Sequence, residues 1–149
     1  MPVNPELVGR DFAPTAPYLV GREKVREFAR AVFANDPQHS DPAAAQALGY
    51  ADVVAPPTFA IVVADATLKQ LLGEPDSGIV LQNVLHAEQK FRSSRPIVAG
   101  DELTARLSVT GIRAMGAAAM VTSESEITDA AGEHVVTATS VLLVGEGEK

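Results

Sequence analysis

With 149 residues, the chain is the size of one domain, enough to bury roughly two-thirds of its unfolded surface around a single core. It has no cysteine, which excludes disulfides, zinc-thiolate centres and cysteine nucleophiles and suits a reducing cytoplasm. A net charge of -7 and a pI near 4.9, with Lys and Arg scattered, argue against a nucleic-acid partner.

The opening, MPVNPELVGRDFAP, lacks a basic region followed by an apolar run, so it does not read as a signal peptide. Tyr18 to Val20 is a short extended piece. Gly21 then leads into REKVREFARAVFA, where Val25, Phe28, Ala29, Val32 and Phe33 recur at helical spacing. The outer face of that helix holds Arg22, Glu23, Lys24, Arg26, Glu27 and Arg30, a solvated mixture of signs.

Next comes FANDPQHSDPAAA, with Asp36, His39 and Asp41 within six positions. A histidine near carboxylates is a natural acid/base group. Asn, Asp, Pro and Ser also cluster wherever a chain turns, so a plain turn with Asp36 as a cap competes with that reading. DPAAAQALGY is a short helix with Asp41 as N-cap, Pro42 in its first turn and Gly49 past its end. In VVAPPTFAIVVADATLKQLLGEP the prolines place a helix start near Pro57 or Thr58, and the helix ends at Gly73. Its apolar residues point in nearly every direction, which predicts a buried helix. Phe59 to Leu72 is interrupted by Asp65, Lys69 and Gln70 and is shorter than the roughly 20 apolar residues of a membrane span.

Four strands are predicted in the second half: Val84 to Arg92, Glu102 to Arg113, Ala117 to Thr128 and Glu133 to Val144. In ELTARLSVTGI, Leu103, Ala105, Leu107, Val109 and Gly111 share one face, and Thr104, Arg106, Ser108 and Thr110 the other. Short turns between the last three strands imply an antiparallel meander, and the fold class is α+β with a central helix on a curved antiparallel sheet. The end, GEGEK, gives residues 145 to 149 little reason to be ordered.

A helix wrapped by such a sheet resembles the hot-dog fold. The loop FANDPQHSD then resembles the Gly-Asp-x-Asn-Pro-aliphatic-His-x-Asp motif of MaoC-like (R)-specific hydratases and 3-hydroxyacyl-thioester dehydratases. Phe33 falls on the Gly, Ala34 on the catalytic Asp, Asp36 on the Asn, Pro37 on the Pro, Gln38 on the aliphatic position, His39 on the His and Asp41 on the last Asp. YLVGREKVREFARAV, LGYADVVAPPTFA, HAEQKFRSSRPIVAGDEL and HVVTATSVLLV are similar to a narrower branch. That branch is the MaoC-like N-terminal or FAS1-like dehydratase domain, which includes the non-catalytic subunits of heterodimeric (3R)-hydroxyacyl-ACP dehydratases. The resemblance implies one hot-dog domain over residues 1 to 149.

It also implies a subunit that binds an acyl thioester of CoA or ACP, pairs as a homodimer or with a catalytic MaoC-like subunit in the cytoplasm, and uses no cofactor or metal. A self-sufficient homodimeric hydratase and a non-enzymatic acyl-binding protein are the alternatives. His39 and Asp36 are the candidate catalytic residues, with Asp36 standing in for the acid lost at Ala34. His86 lies in a segment matching the branch and is a candidate for binding substrate or lining a dimer contact, against an ordinary strand histidine. Pro57, Thr58 and Phe59, at the start of the central helix, are candidates for binding the thioester, although prolines offer no N-H there. Arg95 and Asp101 read as holding their hairpin or the dimer, Lys90, Arg92 and Arg95 as a possible carrier-docking patch, and His134 as a surface residue.

Overall fold

The computed structural model describes residues 3–146. The elements are β1 (Tyr18–Leu19), α1 (Arg22–Ala31), α2 (Pro42–Ala47), α3 (Ala60–Gly73), β2 (Val84–Ser93), β3 (Glu102–Met115), β4 (Ala118–Thr128) and β5 (His134–Val144). They build one curled antiparallel sheet in the order β1-β3-β4-β5-β2, with α3 packed into its concave face. This is the α+β hot-dog architecture. Among the described residues no helix is long and apolar enough to cross a membrane.

The meander β3-β4-β5 is closed by two tight turns. Gly116 supplies the positive φ (60°) of the first. In the second, the Asp129 carboxylate accepts from the N-H groups of Ala131 and Glu133, each at 3.0 Å. The expected alternation of β3 holds for Leu103, Ala105, Leu107 and Val109, all four buried. It fails at Gly111, because a bulge between Val109 and Gly111 puts an extra residue into β3. Gly111 then faces Thr122, and Ile112 opposite Val121 takes the inner face.

Burial of α3 is one-sided. Ala60, Val63, Ala64, Thr67 and Leu71 pack inward, while Asp65 and Lys69 are exposed and form an ion pair at 2.7 Å. The sheet of one chain curls around only one side of the helix, so a helix apolar in most directions keeps an open flank. α1 ends three residues before the expected Ala34, because the chain turns left-handed at Phe33. At the C-terminus, the Gly145 N-H donates to the carbonyl of Asn83 at 2.8 Å, at the start of the expected loose tail. Residues 147–149 of that tail lie outside the described residues.

The core forms two separate apolar groups. One surrounds the first half of α3 with Val25, Phe59, Val63, Leu103, Ile127 and Val136. The other lies under its second half, where Leu71, Leu107, Val121 and Leu142 meet Val3, Leu7 and Phe12 of the N-terminal segment. That segment is clamped at Arg10, whose guanidinium bonds both oxygens of Asp76 at 2.8 and 2.9 Å.

Candidate functional site around His39

The loop that bears His39 is shaped by how α1 stops. The N-H of Ala34 donates to the carbonyl of Ala29 (2.8 Å) and that of Phe33 to Arg30 (3.3 Å), the paired bonds of a Schellman ending. This geometry needs a left-handed residue, usually glycine, and Phe33 occupies it with φ 59°. The chain then turns through Asp36, whose carbonyl accepts from the His39 N-H (3.1 Å), into a single 3-10 turn over Pro37–His39. Asp41 caps α2 through Ala43 N-H (3.0 Å), and Arg26 Nε holds the Ser40 carbonyl (2.9 Å) against α1.

His39 is fixed to the segment before α3. Its Nδ1 lies 2.6 Å from the carbonyl of Val54, and Val54 N-H donates to the Gln38 carbonyl at 2.9 Å. A carbonyl can only accept, so Nδ1 bears a proton, and in the neutral ring Nε2 keeps the lone pair. Val54 is anchored in turn, because Ala55 N-H donates to Ile97 and Ala99 N-H to Val53, at 2.8 and 3.0 Å.

The half-buried imidazole lines a cleft of about 480 Å³ with Gln38, Pro56, Pro57, Ala60 and Arg95 among its walls. No Asp or Glu lines it. Arg95 is held by both oxygens of Asp101 (2.9 and 3.1 Å) and by Asp129 (3.2 Å), and Asp101 also caps Val98 N-H, so the pair locks its hairpin. These hydrogen bonds, that to Asp101 foremost, raise the Arg95 pKa above its usual value.

The other candidates are distributed differently. Asp36 is exposed, its carboxylate makes no capping bond, and it is not among the residues lining the His39 cleft. Ala34, which the resemblance sets at the acid position of the motif, has no group to ionise. Pro57 is a cleft wall, whereas Thr58 opens onto a neighbouring trough of about 430 Å³ lined by Phe28, Ile61, His86 and Phe91. Phe59 is fully buried, edge-on to Phe28 with ring centroids 5.4 Å apart, and it acts on the site through packing. Its N-H donates to the Pro56 carbonyl (2.9 Å), and the two prolines have none, so this helix start offers few free donors.

His86 faces the same side of the sheet as the core. Its Nε2-H donates to Gln89 Oε1 (3.0 Å), which also accepts the Ser140 hydroxyl (2.6 Å), so in the neutral ring Nδ1 is left as an acceptor. His134, expected at the surface, is half-buried in a relay on the outer face. Ser94 donates to its Nδ1, its Nε2-H donates to Thr137 Oγ1 (2.7 Å), and Thr137 donates to Glu126 (2.7 Å). Of the three residues suggested for carrier docking, Lys90 pairs with Glu88 at 3.3 Å and Arg95 is held by its two aspartates.

Residues 6–138 match the model of the FAS1-like dehydratase domain region. The chain belongs to that family. This FAS1-like dehydratase domain is 61% identical to a UPF0336 protein of Clavibacter michiganensis subsp. michiganensis over 97% of both chains. It is 44% identical to one of Streptomyces avermitilis over 100% of this chain and 99% of that one. Among solved structures it superposes on a MaoC-like dehydratase with a TM-score of 0.83 and 40% identity, covering 94% of this chain and 42% of that one. It also superposes on the HadBC (3R-hydroxyacyl-ACP dehydratase) complex of Mycobacterium tuberculosis, with a TM-score of 0.79, 33% identity and coverage of 89% and 92%. The R-hydratase PhaJ1 of Pseudomonas aeruginosa, at 18% identity and a TM-score of 0.69, shares the fold.

Proposed function

We propose that this chain is the acyl-binding subunit of a (3R)-3-hydroxyacyl-thioester dehydratase, or equally of an (R)-specific enoyl hydratase. A MaoC-type partner supplies the Asp/His pair. The observation behind this reading is the His39 cleft, which has a histidine with an open Nε2 and no carboxylate. Dehydration removes the proton alpha to the thioester carbonyl and the 3-hydroxyl, which departs as water, so one group must accept a proton and another must deliver one. His39 can do the first; nothing lining its cleft does the second.

In a paired site His39 Nε2 accepts a hydrogen bond from the bound substrate, and Pro57, Thr58 and the trough beside His86 receive the acyl chain. The family relationship supports the thioester, bound to CoA or ACP, and a cytoplasmic setting. β2 supports pairing: it is a ten-residue edge strand with Leu85 63% exposed, a surface that soluble proteins usually cover. The opposite edge is already covered by β1 and by Val8 against β3.

The test is hydration of crotonyl-CoA, followed by loss of enoyl absorbance, with the purified chain, its His39→Ala variant, and the chain combined with a catalytic MaoC-type subunit. Silence alone and turnover in the pair support the reading. Turnover by the isolated chain that vanishes in His39→Ala would replace it with a self-contained hydratase whose acid lies elsewhere, Asp36 first. Tight acyl-thioester binding with no turnover in any pairing would make the chain a binding protein only.

A further inference from the structure

The two apolar groups of the core are separated by a polar band. In register across the sheet, Gln89 of β2 pairs with Ser140 of β5, and Ser140 with Ser123 of β4. All three lie on the concave side, beneath α3. Ser125, two residues on, meets Thr67 of α3, their hydroxyl oxygens 2.7 Å apart, and Thr67 donates to the Ala64 carbonyl at 2.7 Å. A groove of about 220 Å³ runs between α3 and this band, with Thr67, His86, Ser123, Ser125 and Ser140 on its walls and Asp65 at its rim.

Hydroxyls at the centre of a sheet that otherwise buries Leu, Val and Ile cost stability unless something bonds them. Thr67 and Ser125 satisfy each other. Ser123 is 7% exposed, opens into the groove, and has no side-chain hydrogen bond among the described residues. The neutral ring of His86 presents Nδ1 as an acceptor, since its Nε2-H is committed to Gln89. The groove therefore offers a donor at Ser123 and an acceptor at His86, the pair that a guest hydroxyl needs.

The groove also has a position along a path. Pro57 and Ala60 border the His39 cleft, Thr58 and Ile61 the apolar trough, and Ile61, Ala64 and Leu68 the polar groove, with Ile61 and His86 shared by the last two. From Ala60 to Thr67 is about 10 Å along the helix. A chain entering beside His39 thus crosses an apolar stretch and then meets hydroxyls.

We propose that this subunit selects acyl thioesters bearing a hydroxyl or other polar oxygen well beyond the reacting carbons, bound between Ser123 and His86. The proposal rests on the acyl-binding reading above and names the substrate class of that site. A plain alkyl chain of the same length would reach the band and leave Ser123 unpaired, so the site discriminates by the penalty of an unmet hydrogen bond.

The test is calorimetric titration of the full chain with octanoyl-CoA and ω-hydroxyoctanoyl-CoA, repeated with Ser123→Val and Ser123→Ala. The wild type should bind the hydroxylated thioester about five- to tenfold more tightly, as one added hydrogen bond implies. Ser123→Val, which suits a strand core, should abolish or invert that preference while still binding octanoyl-CoA, and Ser123→Ala should abolish it without added bulk. Equal or tighter binding of octanoyl-CoA by the wild type, or an unchanged preference in both variants, would overturn the proposal and leave the acyl-binding function standing. Failure to bind either thioester would overturn that function and the proposal together.

Discussion

Val54 and His39 hold each other at two points of the chain. The Val54 carbonyl accepts a hydrogen bond from His39 Nδ1-H at 2.6 Å, and the Val54 N-H donates to the carbonyl of the residue just before His39, Gln38. The imidazole is thereby oriented by backbone alone, and Nε2 is turned free of its own support. The oriented ring stands in a cleft that no carboxylate lines, whereas elimination needs a second proton-transfer group.

For the paired enzyme, His39→Ala should raise KM for dehydration of (3R)-3-hydroxybutyryl-CoA about fivefold with kcat within twofold, since the one hydrogen bond lost, from the substrate's 3-hydroxyl to Nε2, is worth about 1 kcal/mol and the proposed reading puts the chemistry in the partner. A fall in kcat of roughly 10²-fold or more with KM unchanged would instead assign proton transfer to His39.

Phe59→Ala should destabilise the fold by about 3–5 kcal/mol, because the ring is fully buried and its loss leaves a cavity under the start of α3. Phe59→Leu should cost much less. Urea denaturation of both variants checks this, and a cost for Phe59→Ala below about 1 kcal/mol would mean that the site-forming end of α3 is not supported by this ring.

Phe33→Gly should stabilise the protein by roughly 1 kcal/mol. The side chain is 83% exposed, so little packing is lost, while its left-handed conformation costs an L-residue energy that glycine does not spend. The midpoint of chemical denaturation reads the change. Destabilisation would show that the exposed ring is covered in the assembled protein.

Acid should weaken the base of the His39 cleft. The hydrogen bond from Arg22 first, with the Val53 N-H also contributing, holds the Asp52 carboxyl below its usual pKa. A carboxylate depressed in the folded state contributes stability that is present above its unfolded pKa, about 3.9, and is lost as pH falls through the lower folded value. Asp76 and Asp129 behave alike, through Arg10 and through the Glu133 N-H respectively. Melting temperature should be flat near neutrality and fall below about pH 4, with a shallower fall in Asp52→Asn. An identical acid limb in that variant would remove Asp52 from the account.

The helices and the meander were legible in the sequence because their signals are local. Val25, Phe28 and Ala29 repeat at helical spacing, Asp41, Pro42 and Gly49 mark both ends of α2, and Leu103 to Val109 alternate along β3. The loop around His39 was readable only as a resemblance to a hydratase motif, with Ala34 at the position of its acid. Even part of the polar band had a signal: in VTSESEI, Ser123 and Ser125 fall on the same face as Val121 and Ile127, where apolar residues would be the rule.

Tertiary structure decided the rest, because it depends on which distant segments become neighbours. The bulge after Val109, the placement of β2 beside β5 at a free edge, and the one-sided cover of α3 come from sheet pairing that no window of sequence contains. The same holds for the bond from His39 to Val54 and for the meeting of Thr67 with Ser125. Residue type and spacing set which groups could do chemistry here. Only the packing of α3 against the sheet set which cleft each one faces, since a side chain's direction is fixed by contacts made across the whole chain.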